Sequence, residues 1–190
     1  GGTIGMVDSP HGLVPGADLE GWLHSLLEGT PLARSVSVTS LAPLIDSSNA
    51  TPLSWQAIVD DLRTHAAADP QAAFVILHGT DTMAYTSAAL SYALTDLSVP
   101  VVVTGSQLPL GELGTDAAAN VTGALKAATS GRLNGVALFF GHRLLAGNRV
   151  TKSSSWAFTG FESPNAAPLA TTGAPWQWAP STRAGAGWKD

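Results

Sequence analysis

The sequence predicts an α/β fold: a layered, mostly parallel sheet with helices on both faces. Three observations predict it. Strand-like and helix-like segments alternate along the chain. The strand-like runs at 74–77, 101–103 and 136–140 are apolar throughout, as strands read when both sheet faces are covered. Clusters of Gly, Ser, Thr and Asp follow the carboxyl ends of these runs, the edge at which sheets of this class bind ligands.

Each element has its own warrant. Residues 18–28 place Leu19, Trp22, Leu23, Leu26 and Leu27 on one helical face. Residues 35–39 alternate, with Val36 and Val38 on one side, so a strand is expected there. A helix then opens with Thr51 as N-cap and Pro52 in its first turn, and Trp55, Ile58, Val59 and Leu62 form its stripe. Strand 73–78, helix 83–95, strand 100–104, helix 116–129 and strand 135–140 follow. The end of the chain, 176–190, is rich in Gly, Pro and Trp with weak periodicity, and reads as a linker or domain margin. Trp22 and Trp55 are expected in the core; Trp176, Trp178 and Trp188 are expected to pack on something beyond the chain. No internal repeat is evident.

Bulk properties narrow the function. The chain has 190 residues, 45% hydrophobic and 12% charged, enough for one domain with a sizeable core. A net charge of −5 argues against nucleic acid as a partner, because phosphate binding needs a basic face. No apolar run approaches the ~20 residues that span a bilayer, so no membrane partner is expected. There is no cysteine, and the five histidines are scattered without ligand spacing. No metal site is expected. The chain starts at Gly1 without methionine, which leaves room for residues upstream.

The polar clusters carry the chemistry. "HGTDT" (78–82) follows strand 73–78, "TGSQLPLGE" (104–112) follows the strand residues 100–103, and "DSSN" (46–49) follows "SLAPLI". A fourth, "GGTIG" (1–5), needs a strand before Gly1 to reach the same edge. Four such clusters describe a small-molecule pocket.

"GGTIG", "DSSNATP", "ILHGTDTMAYTSAAL", "PVVVTGSQLPLGE" and "GNRVTK" occur in order from residue 1 to 152. Together they resemble bacterial L-asparaginases, of the cytosolic (type I) kind. The resemblance reaches about residue 170, and the run around "HGTDTMAYT" is far more specific than a lone glycine motif. It implies an asparaginase N-terminal domain, flavodoxin- or Rossmann-like, over residues 1–175, lacking its first strand and followed at 176–190 by a linker. A C-terminal α/β domain of the family is absent from the sequence. The implied protein is cytoplasmic, a homodimer or homotetramer, binds L-asparagine or L-aspartate, and needs no cofactor.

The resemblance also assigns roles. Thr3 is the attacking hydroxyl that forms an acyl-enzyme; read without the family, Gly1-Gly2-Thr3 is a tight turn. Threonine is a weak nucleophile and needs a neighbouring base. Thr80, Asp81 and Lys152 form a Thr–Asp–Lys relay, in which Lys152, once desolvated, accepts a proton and draws one from Thr80. Asp81 also holds the substrate α-ammonium, and its plain alternative is a charge at a helix N-terminus. Without the resemblance, Lys152 is an ordinary solvated lysine. Asp46, Ser47 and Ser48 supply handles for the α-carboxylate, or else an Asx-turn that opens the helix at Thr51. Thr104 to Gln107 either line the oxyanion side or only end a strand. His78 is read as structural, bonded to backbone, and no Gly-x-Ser-x-Gly elbow supports a Ser–His–Asp triad. Asp116 is read as a helix cap, with Asn120 one turn on.

Two departures stand out. Many members carry a flap tyrosine after the nucleophile, where this chain has "GMVDSPHGLVPG" with Leu13 or Val14 in its place. Tyr85 and Tyr92 are expected to point into the core. Ala117 replaces a glycine, which a helix tolerates. The implied reaction is hydrolysis of L-asparagine to L-aspartate and ammonia. This stretch alone is expected to have little or no activity, since in the family a neighbouring subunit completes the pocket. The alternatives are an asparaginase-fold subunit of a tRNA-dependent amidotransferase and a non-catalytic amino-acid-binding module.

Overall fold

The computed structural model describes residues 2–10, 12–42, 44 and 46–180, apart from the side chains of residues 8, 9 and 12–15. The three apolar runs become parallel neighbours: β3 (Phe74–Leu77), β4 (Pro100–Thr104) and β5 (Gly135–Phe140). Phe74 stands opposite Val101, and Val101 opposite Val136. Helix α3 (Met83–Ala93) connects β3 to β4, and α4 (Ala117–Ala128) connects β4 to β5.

The pleat sends alternate side chains to opposite faces, and the packing sorts accordingly. Val101, Val103, Leu138 and Phe140 meet α3 and α2 (Pro52–Ala68), whereas Val102, Ala137 and Phe139 meet α4. Helices therefore cover both faces, as expected. Two successive crossovers that step across a sheet in one direction but pass over opposite faces have opposite hands, so one of them is left-handed. That hand is rare, because strand twist favours right-handed connections.

The sheet continues past β5 through antiparallel strands that the sequence did not announce. They are β6 (Arg143–Ala146), β9 (Ala170–Thr171) and β10 (Gln177–Trp178), giving the order β10-β9-β6-β5-β4-β3. The reading of 176 onward as a margin needs correcting here. Trp176 stacks on Phe139 at 5.6 Å between ring centroids, and Arg132 lies over Trp178 at 4.9 Å. Short strands of two residues carry no legible alternation, so the sequence hid them. Trp188 lies outside the described residues.

Three elements complete the domain. The segment after Thr3 folds as an antiparallel hairpin, β1 (Met6–Ser9) with β2 (Gly12–Pro15). Helix α1 (Leu19–Leu27) is capped by Asp18, whose carboxylate accepts from the Gly21 N–H. A ribbon pairs β7 (Thr151–Lys152) with β8 (Phe161–Glu162).

Two further expectations fail. Residues 35–39 form no strand: they line one wall of a groove of about 650 Å³ whose other wall is β3. Among the described residues β3 is the end strand of its sheet; alternation makes a strand only where a partner supplies the ladder. Tyr85 and Tyr92 point outward, 68% and 66% exposed. The buried face of α3 is Met83, Thr86, Ser87 and Leu90, and helical spacing turns residues 85 and 92 away from it. Trp22 and Trp55 are half-buried.

Candidate active site

The site forms where three loops meet at Gly79, just beyond β3. A Cβ on Gly79 would overlap Ser47 Oγ, and a Cβ on Gly2 would overlap the Gly79 backbone. Both glycines are therefore required by close approach, and Gly2 also has φ 75°. This contact brings together the two loops that bear Thr3, next to Gly2, and Thr80, next to Gly79.

Thr3 opens a short 3-10 turn, Thr3–Gly5, that is anchored on all sides. Ile4 is fully buried against α1 and α4, and its carbonyl accepts from the Leu110 N–H. The Gly5 carbonyl accepts from the N–H groups of Gly16 and Ala17, closing the hairpin. The Thr3 side chain itself is only partly covered. The side chains of residues 13 and 14, where a flap tyrosine was sought, lie outside the described residues.

Lys152 comes to Thr80 and Asp81 from 71 positions away along the chain, on the β7–β8 ribbon. Its Nζ donates to Thr80 Oγ1 at 2.9 Å and to Asp81 Oδ1 at 3.0 Å. The Lys152 side chain is 20% exposed and that of Asp81 is 64%. An ion pair this open is worth about 0–1 kcal/mol, so its role is placement rather than stability. Exposure also leaves Asp81 acceptor capacity for a cation.

Ser47 is buried at the start of a 3-10 turn, Ser47–Asn49. Its carbonyl accepts from Thr82 Oγ1 at 2.7 Å, which ties this loop to the one bearing Thr80. Asp46 accepts from the Ser48 N–H at 3.1 Å, so the Asx-turn is present. Asp46 and Ser48 face solvent.

The loop after β4 is spent on architecture. Thr104 Oγ1 donates to the Phe139 carbonyl, Ser106 Oγ to the Leu108 carbonyl and Gln107 Nε2 to the Ala157 carbonyl. Asp116 stands at the N-cap position of α4, as expected, but its carboxylate accepts from no backbone N–H of that helix. Instead it accepts from the N–H groups of Gln107 and Leu108 and from Asn120 Nδ2. Nothing in the spacing of the sequence separates these two uses of one aspartate.

His78 is structural, as expected. Its Nδ1 bonds the Gly79 carbonyl at 2.7 Å, and burial lowers its pKa. The groove along β3 is lined by Ser47 and Gly79 but not by Thr80, Asp81 or Lys152. Among the described residues no cluster of metal-ligating side chains occurs.

Comparison with known proteins now decides the lineage. Residues 1–182 match the family model described as asparaginase, N-terminal. The chain belongs to the asparaginase family. This asparaginase-family chain is 46% identical to L-asparaginase 1 of Escherichia coli over 175 residues, which are 91% of it and 51% of that protein. It is 39% identical to the 60 kDa lysophospholipase of mouse over 196 residues, covering 92% of this chain and 34% of the relative. The crystal structure of L-asparaginase I from Vibrio cholerae superposes with a TM-score of 0.84 at 40% identity, over 100% of this chain and 57% of that one. The asparaginase-family chain thus spans about half the length of the E. coli relative.

Proposed function

We propose that the protein to which this chain belongs is an L-asparaginase, hydrolysing L-asparagine to L-aspartate and ammonia. The observation that carries this reading is the pair of bonds from Lys152 Nζ to Thr80 Oγ1 and Asp81 Oδ1, beside the Gly2–Gly79 contact that brings Thr3 close. A small amino acid meets complementary groups there. The exposed Asp81 carboxylate faces the α-ammonium, and the Ser47 hydroxyl with backbone N–H groups of its turn, which Asp46 shapes by accepting from the Ser48 N–H, faces the α-carboxylate.

In this reading Thr3 Oγ attacks the side-chain amide carbon. The new C–O bond forms as the C–N bond breaks, and the nitrogen leaves as ammonia after gaining the hydroxyl proton. Water then adds to the ester carbon as the C–Oγ bond to Thr3 breaks; Lys152, acting in its uncharged amine form through Thr80, takes the water proton, and that proton returns to Thr3 Oγ to restore the hydroxyl. The open edge of β3 supports a further strand ahead of Gly1. The exposure of Asp81 supports completion of the site by a second domain of a neighbouring subunit, in a cytoplasmic homodimer or homotetramer. Closing that pocket would strengthen each charge interaction by excluding water.

The test is ammonia release from asparagine and glutamine by the full-length protein, beside this chain and beside Thr3→Ala in each. A lysophospholipid is included because one relative bears that name. Activity on asparagine in the full-length protein, lost in Thr3→Ala by a factor of about 10³ or more, is the expected result. No ammonia from the full-length protein sinks the reading.

A further inference from the structure

The ring of His78 is held at both nitrogens. Nδ1 lies 2.7 Å from the Gly79 carbonyl oxygen and Nε2 lies 3.0 Å from Thr86 Oγ1. Trp55 Nε1 lies 3.0 Å from the same hydroxyl. The direction of each bond follows from what each atom can do. An indole N–H only donates, so Thr86 Oγ1 accepts from Trp55. A carbonyl only accepts, so the proton of a neutral ring stands on Nδ1 and is donated to Gly79. Nε2 is then bare and accepts the Thr86 proton. The chain closes with every donor matched to an acceptor, and burial favours this uncharged ring over the charged one.

We propose that His78 is a positioning residue. As the neutral Nδ1–H tautomer it fixes the Gly79–Thr80 peptide, and through it the Thr80 hydroxyl and Asp81 carboxylate that face Lys152. In a trans peptide the carbonyl and the following N–H point to opposite edges of one plane. Seating the Gly79 carbonyl on the ring therefore sets the direction of the Thr80 N–H and the start of the Thr80 side chain. Gly79 has no side chain with which to hold itself, and the ring ties its peptide to α2 through Trp55 and to α3 through Thr86.

Protonation would place a second N–H on Nε2, facing a hydroxyl already set to donate. Thr86 would then accept from both sides and would have to turn its own proton elsewhere. Around the ring, α2 presents Trp55 and α3 presents Thr86, both neutral. The charged side chains of the loop that follows are Asp81 and its partner Lys152, paired with each other. Farther along α2, Arg63 pairs with Asp96 and His65 with Asp61, while Asp60 accepts from Gln56.

The kinetic part of this inference rests on the hydrolase reading, and the test separates the two. In the full-length protein, His78→Asn keeps an amide N–H near the Nδ1 position, whereas His78→Gln and His78→Ala do not. Ala and Gln are expected to lower kcat for asparagine by about ten-fold or more, with KM changed far less, and Asn to recover most of it. The wild-type kcat profile should fall below the ordinary histidine pH range, and that limb should vanish in His78→Asn. Equal losses in Asn and Ala with the acid limb retained would overturn the proposal. Nitrogen-15 spectra of the ring decide it independently: an Nδ1–H ring is expected and an Nε2–H ring refutes it. If the wild type releases no ammonia, the hydrolase reading alone fails. The positioning role is then judged by the Thr80 amide resonance, which moves in His78→Ala and returns in His78→Asn if it holds, and stays put in both if it does not.

Discussion

Gly79 shows how much of this site depends on one missing atom group. Ser47 Oγ occupies the volume a Cβ there would need, and the Gly2 backbone presses from another side. Gly79→Ala forces Ser47 and its turn outward, at about 1–3 kcal/mol by analogy with overpacked cores. The expected outcome is a lower thermal midpoint together with a loss of activity larger than the stability change explains. Retained activity at a lowered midpoint would mean that the Ser47 turn is not a substrate handle. His78 adds a pH dependence at the same scale. Burial lowers its folded-state pKa, so the unfolded chain binds more protons in the window just below the ordinary histidine value. Stability is complete above that window and falls as pH drops through it. A urea midpoint lower at pH 5 than at pH 7, with the difference reduced in His78→Asn, is the expected result.

At the scale of elements, Asp116 and Asn120 join three pieces of chain. Asp116 holds the loop after β4 through the Gln107 and Leu108 N–H groups. Asn120 donates to the Gly105 carbonyl and accepts from the Gly141 N–H after β5. Gly105 in turn lies against the His78 carbonyl, where a side chain has no room. Replacing Asp116 with Ala strands two backbone donors and the Asn120 amide in a buried place, which costs on the order of 3 kcal/mol. Chemical denaturation of Asp116→Ala should show this loss, whereas Asp116→Asn, which keeps an acceptor oxygen, should show a smaller one. Equal loss in both would mean that charge rather than acceptor geometry holds the loop. The helix α4 itself was legible from its alanine-rich period, but this use of its first turn was not. A carboxylate before a helix reads as a cap until the neighbouring loop is in place.

For the whole molecule, the sheet decides where the domain ends. Phe139 is buried under Trp176, and β10 completes the antiparallel side. Truncation after residue 175 removes both tryptophans. It is expected to lower stability by about 2 kcal/mol or more relative to truncation after 180, from exposed aromatic surface. Equal urea midpoints for the two would show that the margin is dispensable. The sequence by itself determined the α/β class, the three parallel strands and the helices between them, because long apolar runs and 3.6-residue stripes are local signals. Thr80 and Asp81 were also local, standing at the end of such a run. Lys152 was legible only through resemblance to a family, since 71 residues separate it from Asp81. Tertiary structure alone decided that α3 and α4 lie on opposite faces, that residues 35–39 are not a strand and that Tyr85 and Tyr92 face outward. It also decided that Gly2 and Gly79 meet, backbone against backbone. Each of these depends on which distant segment supplies a ladder, a packing face or a close approach, and no periodicity in the chain records that.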